Sequence, residues 1–244
     1  MPVFKTDANL VSLWLLNEVS GIRYDSVGPN DLTDNNTVES STDCQEGVRS
    51  ADFERGNAEY LSIADAAQAG LDITGDITIL AWIKPESNVI GTIVGKYATA
   101  PQHGYLFYVN TGPVIQCILS PDGTNDTTAI GGTTLDLGEW YHVAVVYNGT
   151  DIRIYVNGVL DANGAENPYA YTGGIYDSST QFELGHRVAS SNYYDGLMDE
   201  VAVFNRALSA DEVADIFNFG ILDPKRSLVL RPRVVLSSVQ HLRL

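Results

Sequence analysis

Apolar runs of about five to eight residues recur along this chain, each closed by Gly, Asn, Asp or Pro, and that spacing predicts strands joined by tight turns. The clearest runs are 78–84, 105–110, 114–120, 140–147 and 152–156. Residues 141–147 are apolar on both pleat faces, which predicts a strand in the middle of a sheet. Asn148-Gly149 follows at once, a strong hairpin signal. The next strand alternates, with Ile152, Ile154 and Val156 on one side and Arg153, Tyr155 and Asn157 on the other, before a second turn at Asn157-Gly158. Helical spacing appears only over 208–219. Together these patterns predict an all-β chain: two packed antiparallel sheets with one short helix near the end of the domain.

That helix has its start and stop written out. A strand over 200–204, with Val201 and Val203 on one face, leads into Ser209, a good N-cap. Glu212, three residues later, completes a capping box. Val213, Ile216 and Phe217 make the apolar stripe, and Gly220 stands where a helix end favours glycine.

The wording of 195–212, Asp-Gly-Leu-Met-Asp-Glu through Asn-Arg-Ala-Leu-Ser, resembles the closing segment of laminin G-like jelly-roll domains of the concanavalin A-like superfamily. Upstream segments are similar to the family in the same order: Leu13-Trp14-Leu15-Leu16-Asn17-Glu18, Tyr24-Asp25-Ser26-Val27-Gly28-Pro29-Asn30, Ala51-Asp52-Phe53 with Tyr60-Leu61-Ser62-Ile63, Ile77 to Pro85, and Gly138 to Ala144 with Ile152 to Gly158. The resemblance covers residues 9–220. It implies a jelly-roll sandwich over 1–220 and says less about function, because one fold hosts many.

The 244 residues are ample for one such domain, and 44% hydrophobic residues supply its core. Residues 1–10 read as polar, so no secretory leader is expected, and no apolar run approaches the roughly 20 residues that span a bilayer. A net charge of −17 disfavours nucleic acid, whose phosphates would be repelled. Cys44 and Cys117 read as free thiols, with pairing the alternative in a secreted chain.

Residues 221–244 read as a separate extended tail. Pro224 and Pro232 break any long helix there. Lys225, Arg226, Arg231, Arg233 and Arg243 against Asp223 give it a net +4, which leaves −21 on residues 1–220. Its apolar residues argue against a free disordered tail. Either it folds back on its acidic body or it docks on other subunits of an assembly by strand addition. Arg226, Arg231, Arg233, Val234 and Leu236 are the expected docking residues. That organisation suits a virion decoration or fibre protein.

Catalysis is not expected. Glycosidases of the superfamily need two carboxylates flanking the scissile bond, about 5–5.5 Å or 6.5–9.5 Å apart. Related hydrolases carry them as an E-x-D-x-x-E run, which this chain lacks. Asp199 and Glu200 are adjacent and are expected on opposite strand faces. His103, His142, His186 and His241 are isolated in sequence, and His142 reads as a packed core histidine.

The resemblance also implies a structural calcium ion, held by Asp25 and Asn30 of the first loop and Asp199 of the closing strand, with Asp52 a further candidate. Asp25 and Asn30 suit a turn without an ion equally well. For a ligand, residues 163–196 offer Tyr169, Tyr171, Tyr176, Tyr193 and Tyr194 among Asn and Asp, and His103 borders the same end. Tyrosine rings suit stacking on a sugar face. The expected function is therefore a binding module for carbohydrate or another surface ligand, outside the cell or on a virion. The alternative is a purely structural decoration subunit anchored by its tail.

Overall fold

The computed structural model describes residues 4–162 and 167–221. In chain order its strands are β1 (Leu10–Trp14), β2 (Thr33–Asn35), β3 (Glu39–Ser41), β4 (Ser50–Phe53), β5 (Tyr60–Ile63), β6 (Ile77–Pro85), β7 (Gly91–Tyr97), β8 (His103–Asn110), β9 (Val114–Gly123), β10 (Thr127–Thr134), β11 (Tyr141–Tyr147), β12 (Asp151–Val156), β13 (Val159–Leu160), β14 (Tyr169–Ala170), β15 (Phe182–Leu184) and β16 (Gly196–Phe204). One α-helix, α1 (Ala210–Phe219), follows.

The strands form two antiparallel sheets. A nine-stranded sheet runs β13-β12-β11-β6-β16-β4-β3, with β1 beside β16 and β14 beside β12. A seven-stranded sheet runs β10-β9-β8-β7-β15-β5-β2. The expected central strand is β11, which lies between β6 and β12. The inner faces meet in one apolar core. From one sheet Leu61, Leu184, Val94, Phe107, Cys117 and Ala129 line up as cross-strand partners. Ile79, Val143, Val145, Val201 and Val203 face them from the other. Trp14, fully buried, stacks on Phe182 at 5.2 Å and bridges the two sheets.

The outer face of the nine-stranded sheet is covered too. Leu80, Ala144, Val146, Ala202 and Phe204 pack under Phe4, Leu208, Val213 and Ile216. Ser209 caps α1 as expected: its hydroxyl accepts from the Glu212 N–H at 3.2 Å, and Glu212 accepts from the Ser209 N–H at 2.8 Å. Replacing Ser209 with alanine is expected to cost about 1 kcal/mol, read from the midpoint of urea unfolding.

Alternation along β16 is broken where the sequence leads one to expect it intact. The register of β16 against β6 slips between Asp199 and Ala202, and Glu200 takes φ 46°. A bulge of this kind re-aims side chains, so Asp199 and Glu200 are both buried and are not split between a wet and a dry face. Burial pushes both carboxyls up to about 8, helped at Glu200 by the Asp199 charge. Cys44 and Cys117 are free thiols. Among the described residues no helix is long and apolar enough to cross a membrane. The docking residues Arg226, Arg231, Arg233, Val234 and Leu236 lie outside the described residues.

Candidate ligand-binding face

The outer face of the seven-stranded sheet carries no second apolar cluster. Cross-strand partners share a face, so Ser62, Glu183, Gly95, Leu106, Ile118 and Thr128 form one row across it. Period-2 alternation adds Tyr60 beside Ser62, and Tyr108 beside Leu106. The row mixes polar and aliphatic residues, with Ser62, Glu183, Gly95 and Leu106 buried and Ile118 and Thr128 half-buried, and Tyr60 and Tyr108 stand half-buried beside it.

A pinned loop borders this face. Gly185 ends the turn after β15 at φ 83°, and a Cβ there would meet the Phe53 ring at 2.6 Å, so only glycine fits. The Tyr194 N–H returns to the Gly185 carbonyl at 2.7 Å, the Thr92 N–H bonds the Asn192 carbonyl at 3.2 Å, and Arg55 donates to the Tyr193 carbonyl at 3.0 Å. These bonds fix His186 and Tyr193 over the sheet. Their rings stack at 4.2 Å and 15°, and Tyr60 stands 5.1 Å from His186 and 6.3 Å from Tyr193. Beneath them Glu183, 1% exposed, takes His186 Nδ1 at 2.9 Å and the Gln181 amide. His186 Nε2 donates to the Ser190 carbonyl at 3.1 Å, so both ring nitrogens are committed.

A second aromatic pair lies beside the first. Tyr97 and His103 stack at 4.2 Å and 18°, and Asp126 accepts from the Tyr97 hydroxyl at 2.6 Å and from His103 Nδ1 at 2.9 Å. Arg187 sits over the Tyr97 ring at 5.2 Å. Burial, with the Asp126 carboxylate, holds the Tyr97 phenol well above its ordinary value, and burial pushes Tyr108 up to about 12. These phenols stay protonated hydrogen-bond donors at any working pH.

Of the ligand-binding residues the sequence singled out, the structure brings Tyr193 and His103 to this face. Tyr176 packs on Gly123, the cross-strand partner of His103, and so lies at the same end of the sheet. Tyr169 and Tyr171 lie elsewhere. Tyr169 pairs with Ile152 on the other sheet, and Tyr171 packs 5.5 Å from Tyr147. Tyr194 is corrected to a core residue: it is 1% exposed, edge-on to Phe53, and its hydroxyl donates to the Leu197 carbonyl. Tyr193 and Tyr194 lie in the loop before β16, which sends the first ring to His186 and the second to Phe53. Sequence reading placed the loop from Tyr97 to Tyr105 at this end and missed Tyr60, Tyr108, Glu183, His186 and Arg187. The alternation Tyr60-Leu61-Ser62-Ile63 was the available signal.

Asp25, Asn30 and Asp199 do not form one donor set. Asp25 accepts from the N–H groups of Leu13, Val27 and Asn30. Asn30 is buried, bonding Ser12 Oγ, the Ala69 carbonyl and the Ala69 N–H. Asp199 Oδ2 accepts from Gln45 and Glu46 N–H at 2.8 Å, while its Oδ1 is buried without a partner. Calcium needs about six to eight oxygens, and the Asp25 and Asn30 oxygens are already spent on N–H donors. These residues therefore do not fit the ion the family implies. Asp52 is half-buried, and burial and the Glu86, Glu54, Glu39 and Asp195 charges raise its carboxyl. Among the described residues no group of three His, Cys, Asp or Glu is placed to hold a metal. His142, 2% exposed against Trp82 and Phe217, is the packed core histidine expected.

The two antiparallel sheets pack as a jelly-roll sandwich, and half-buried Tyr60, Tyr108, Arg187 and Tyr193 stand on the outer side of the seven-stranded sheet. The family model of the concanavalin A-like lectin/glucanases superfamily matches residues 55–214, more than half of the chain, and the chain belongs to that superfamily. No curated protein sequence matches it. Among solved structures it is similar to domain 4 of AbnA, a GH43 extracellular arabinanase from Geobacillus stearothermophilus, in complex with arabinotriose. There the TM-score is 0.63 at 18% identity, over 85% of this chain and 98% of that one. It is also similar to the binding domain of Paraclostridial Mosquitocidal Protein 1, with TM-score 0.65 at 17% identity over 86% of this chain and 52% of that one. The Botulinum Neurotoxin serotype G binding domain gives 0.63 at 15% identity, over 86% and 50%. The chain thus spans about half of each toxin binding domain. These likenesses establish the fold.

Proposed function

We propose that this chain is a non-catalytic carbohydrate-binding module, acting outside the cell or on a virion surface, and that an oligosaccharide lies against the half-buried Tyr60, Tyr108, Arg187 and Tyr193 on the outer side of the seven-stranded sheet. The observation that carries the reading is the Tyr60–His186–Tyr193 cluster, in which the half-buried Tyr60 and Tyr193 rings are pre-positioned against the buried His186 ring by a loop fixed through backbone hydrogen bonds. Sugar C–H faces pack on such rings, and pre-organisation spares the ordering cost of binding. Glu183 does not suit a catalytic acid, because it is buried and committed to His186. The arabinotriose bound by the arabinanase domain puts arabino-oligosaccharides in the first test set.

A glycan microarray followed by calorimetry tests the reading. Saturable binding to a defined glycan set is expected. No binding to any neutral or acidic glycan would contradict it. Residues 221–244, with net +4 against −21 on residues 1–220, are proposed as the segment that joins the module to other subunits of an assembly. Their removal is then expected to abolish co-sedimentation with those subunits and to leave glycan affinity within about two-fold.

A further inference from the structure

Resting on that reading, we infer that Arg187 makes this outer face a receptor for acidic glycans, binding a sugar carboxylate beside the aromatic cluster. The inference comes from how charges on this face are matched. Glu183 has the Gln181 amide and His186 as its donors. Asp126 has the Tyr97 hydroxyl and His103. Elsewhere Lys84, Lys96, Arg153 and Arg206 each pair with a carboxylate. Arg23 and Arg55 spend their guanidinium groups on backbone carbonyls. The Arg187 guanidinium makes no ion pair or hydrogen bond among the described residues, and the ring it lies over is that of Tyr97; its backbone carbonyl accepts from the Ser190 hydroxyl.

A guanidinium over a ring face leaves its N–H donors unspent, and its planar fork of five donors matches a carboxylate in a two-pronged bond. Its place follows from the topology. Arg187 is adjacent in sequence to His186, which stacks on Tyr193, and Tyr97 belongs to β7, the neighbour of β15. One sugar of a chain on the Tyr60 and Tyr193 rings therefore puts its neighbour over Arg187. Charge-assisted bonds of this kind are roughly twice as strong as neutral ones. The −21 of the body opposes an anionic ligand only at long range, because salt screens charges beyond about 8 Å.

Calorimetry on the full chain would compare oligogalacturonate with its methyl ester, and sialyllactose with lactose. These two pairs separate a uronate source of the carboxylate from a sialate one. At least one acidic member is expected to bind about 10-fold more tightly than its neutral partner. Arg187→Gln is expected to erase that difference by weakening the acidic member about 10-fold, and Arg187→Lys to recover only part of it. Equal affinity for acid and neutral members, or equal losses for both in Arg187→Gln, would overturn the inference and leave the carbohydrate-binding reading standing. Binding to none of the four, nor to any glycan on the array, would remove both.

Discussion

Replacing Tyr193 with alanine is expected to weaken glycan binding about 30-fold and leave the fold intact, whereas replacing the adjacent Tyr194 is expected to do the reverse. Tyr193 is half-buried, and its contacts are ring contacts with His186 and Tyr60 on the outer face. Truncating a buried tyrosine anchor at a binding surface typically costs about 2 kcal/mol or more. The loop around it survives because Arg55 holds the Tyr193 carbonyl, which any residue supplies. His186 keeps its bonds to Glu183 and Ser190. Tyr194 is 1% exposed and packs on Phe53, so Tyr194→Ala opens a cavity and is expected to cost about 3–5 kcal/mol of stability. Tyr171→Ala, on the Tyr147 side, is expected to leave affinity unchanged. Calorimetry and thermal unfolding on the three variants read this. Equal affinity losses at Tyr193 and Tyr171 would refute the placement of the site.

The second large effect is acid sensitivity through His142. Burial against Trp82 and Phe217 lowers its imidazole from 6.5 to about 3, and Nδ1 has no hydrogen-bond partner. The folded state therefore excludes a proton that the unfolded chain binds below about pH 6.5. Stability from this group is complete above pH 6.5 and is lost as pH falls towards 3, by about 3–5 kcal/mol in all. Asp199 and Glu200 act in the opposite sense. Their carboxyls, held up near 8, contribute stability that is present below about pH 4 and lost as pH rises through 8. The His142 contribution is thus isolated by difference. His142→Phe, which keeps the ring packing, is expected to lose less stability than the parent between pH 6.5 and 4 in urea titrations. Parallel curves would show that His142 is not the group that titrates.

The fold was legible because its signals are local and repeated. Alternation in β12, the two-faced apolar run of β11, the Asn-Gly turns and the Ser209/Glu212 box are each readable within about ten residues. The face was less legible. Its residues come from β5, β7, β8 and the loop after β15, which only sheet pairing brings together. Tyr193 and Tyr194 differ in fate by one residue of register, which composition cannot decide. The bulge at Asp199–Ala202 likewise overrode the alternation that predicts opposite faces for Asp199 and Glu200. Asp25 and Asn30 read as ion ligands or turn residues from sequence, and in the structure their side-chain oxygens accept from backbone N–H groups.

The account's central claim is that the outer face of the seven-stranded sheet holds a glycan. Titrating isotope-labelled protein with the best glycan from the array, and following backbone amide shifts, tests it most directly. The account predicts shifts concentrated at Tyr60, Tyr97, Tyr108 and residues 181–193, with none at Tyr169 or Tyr171. Shifts centred on the Tyr169–Tyr171 edge, with the Tyr60–His186–Tyr193 cluster unmoved, would contradict it.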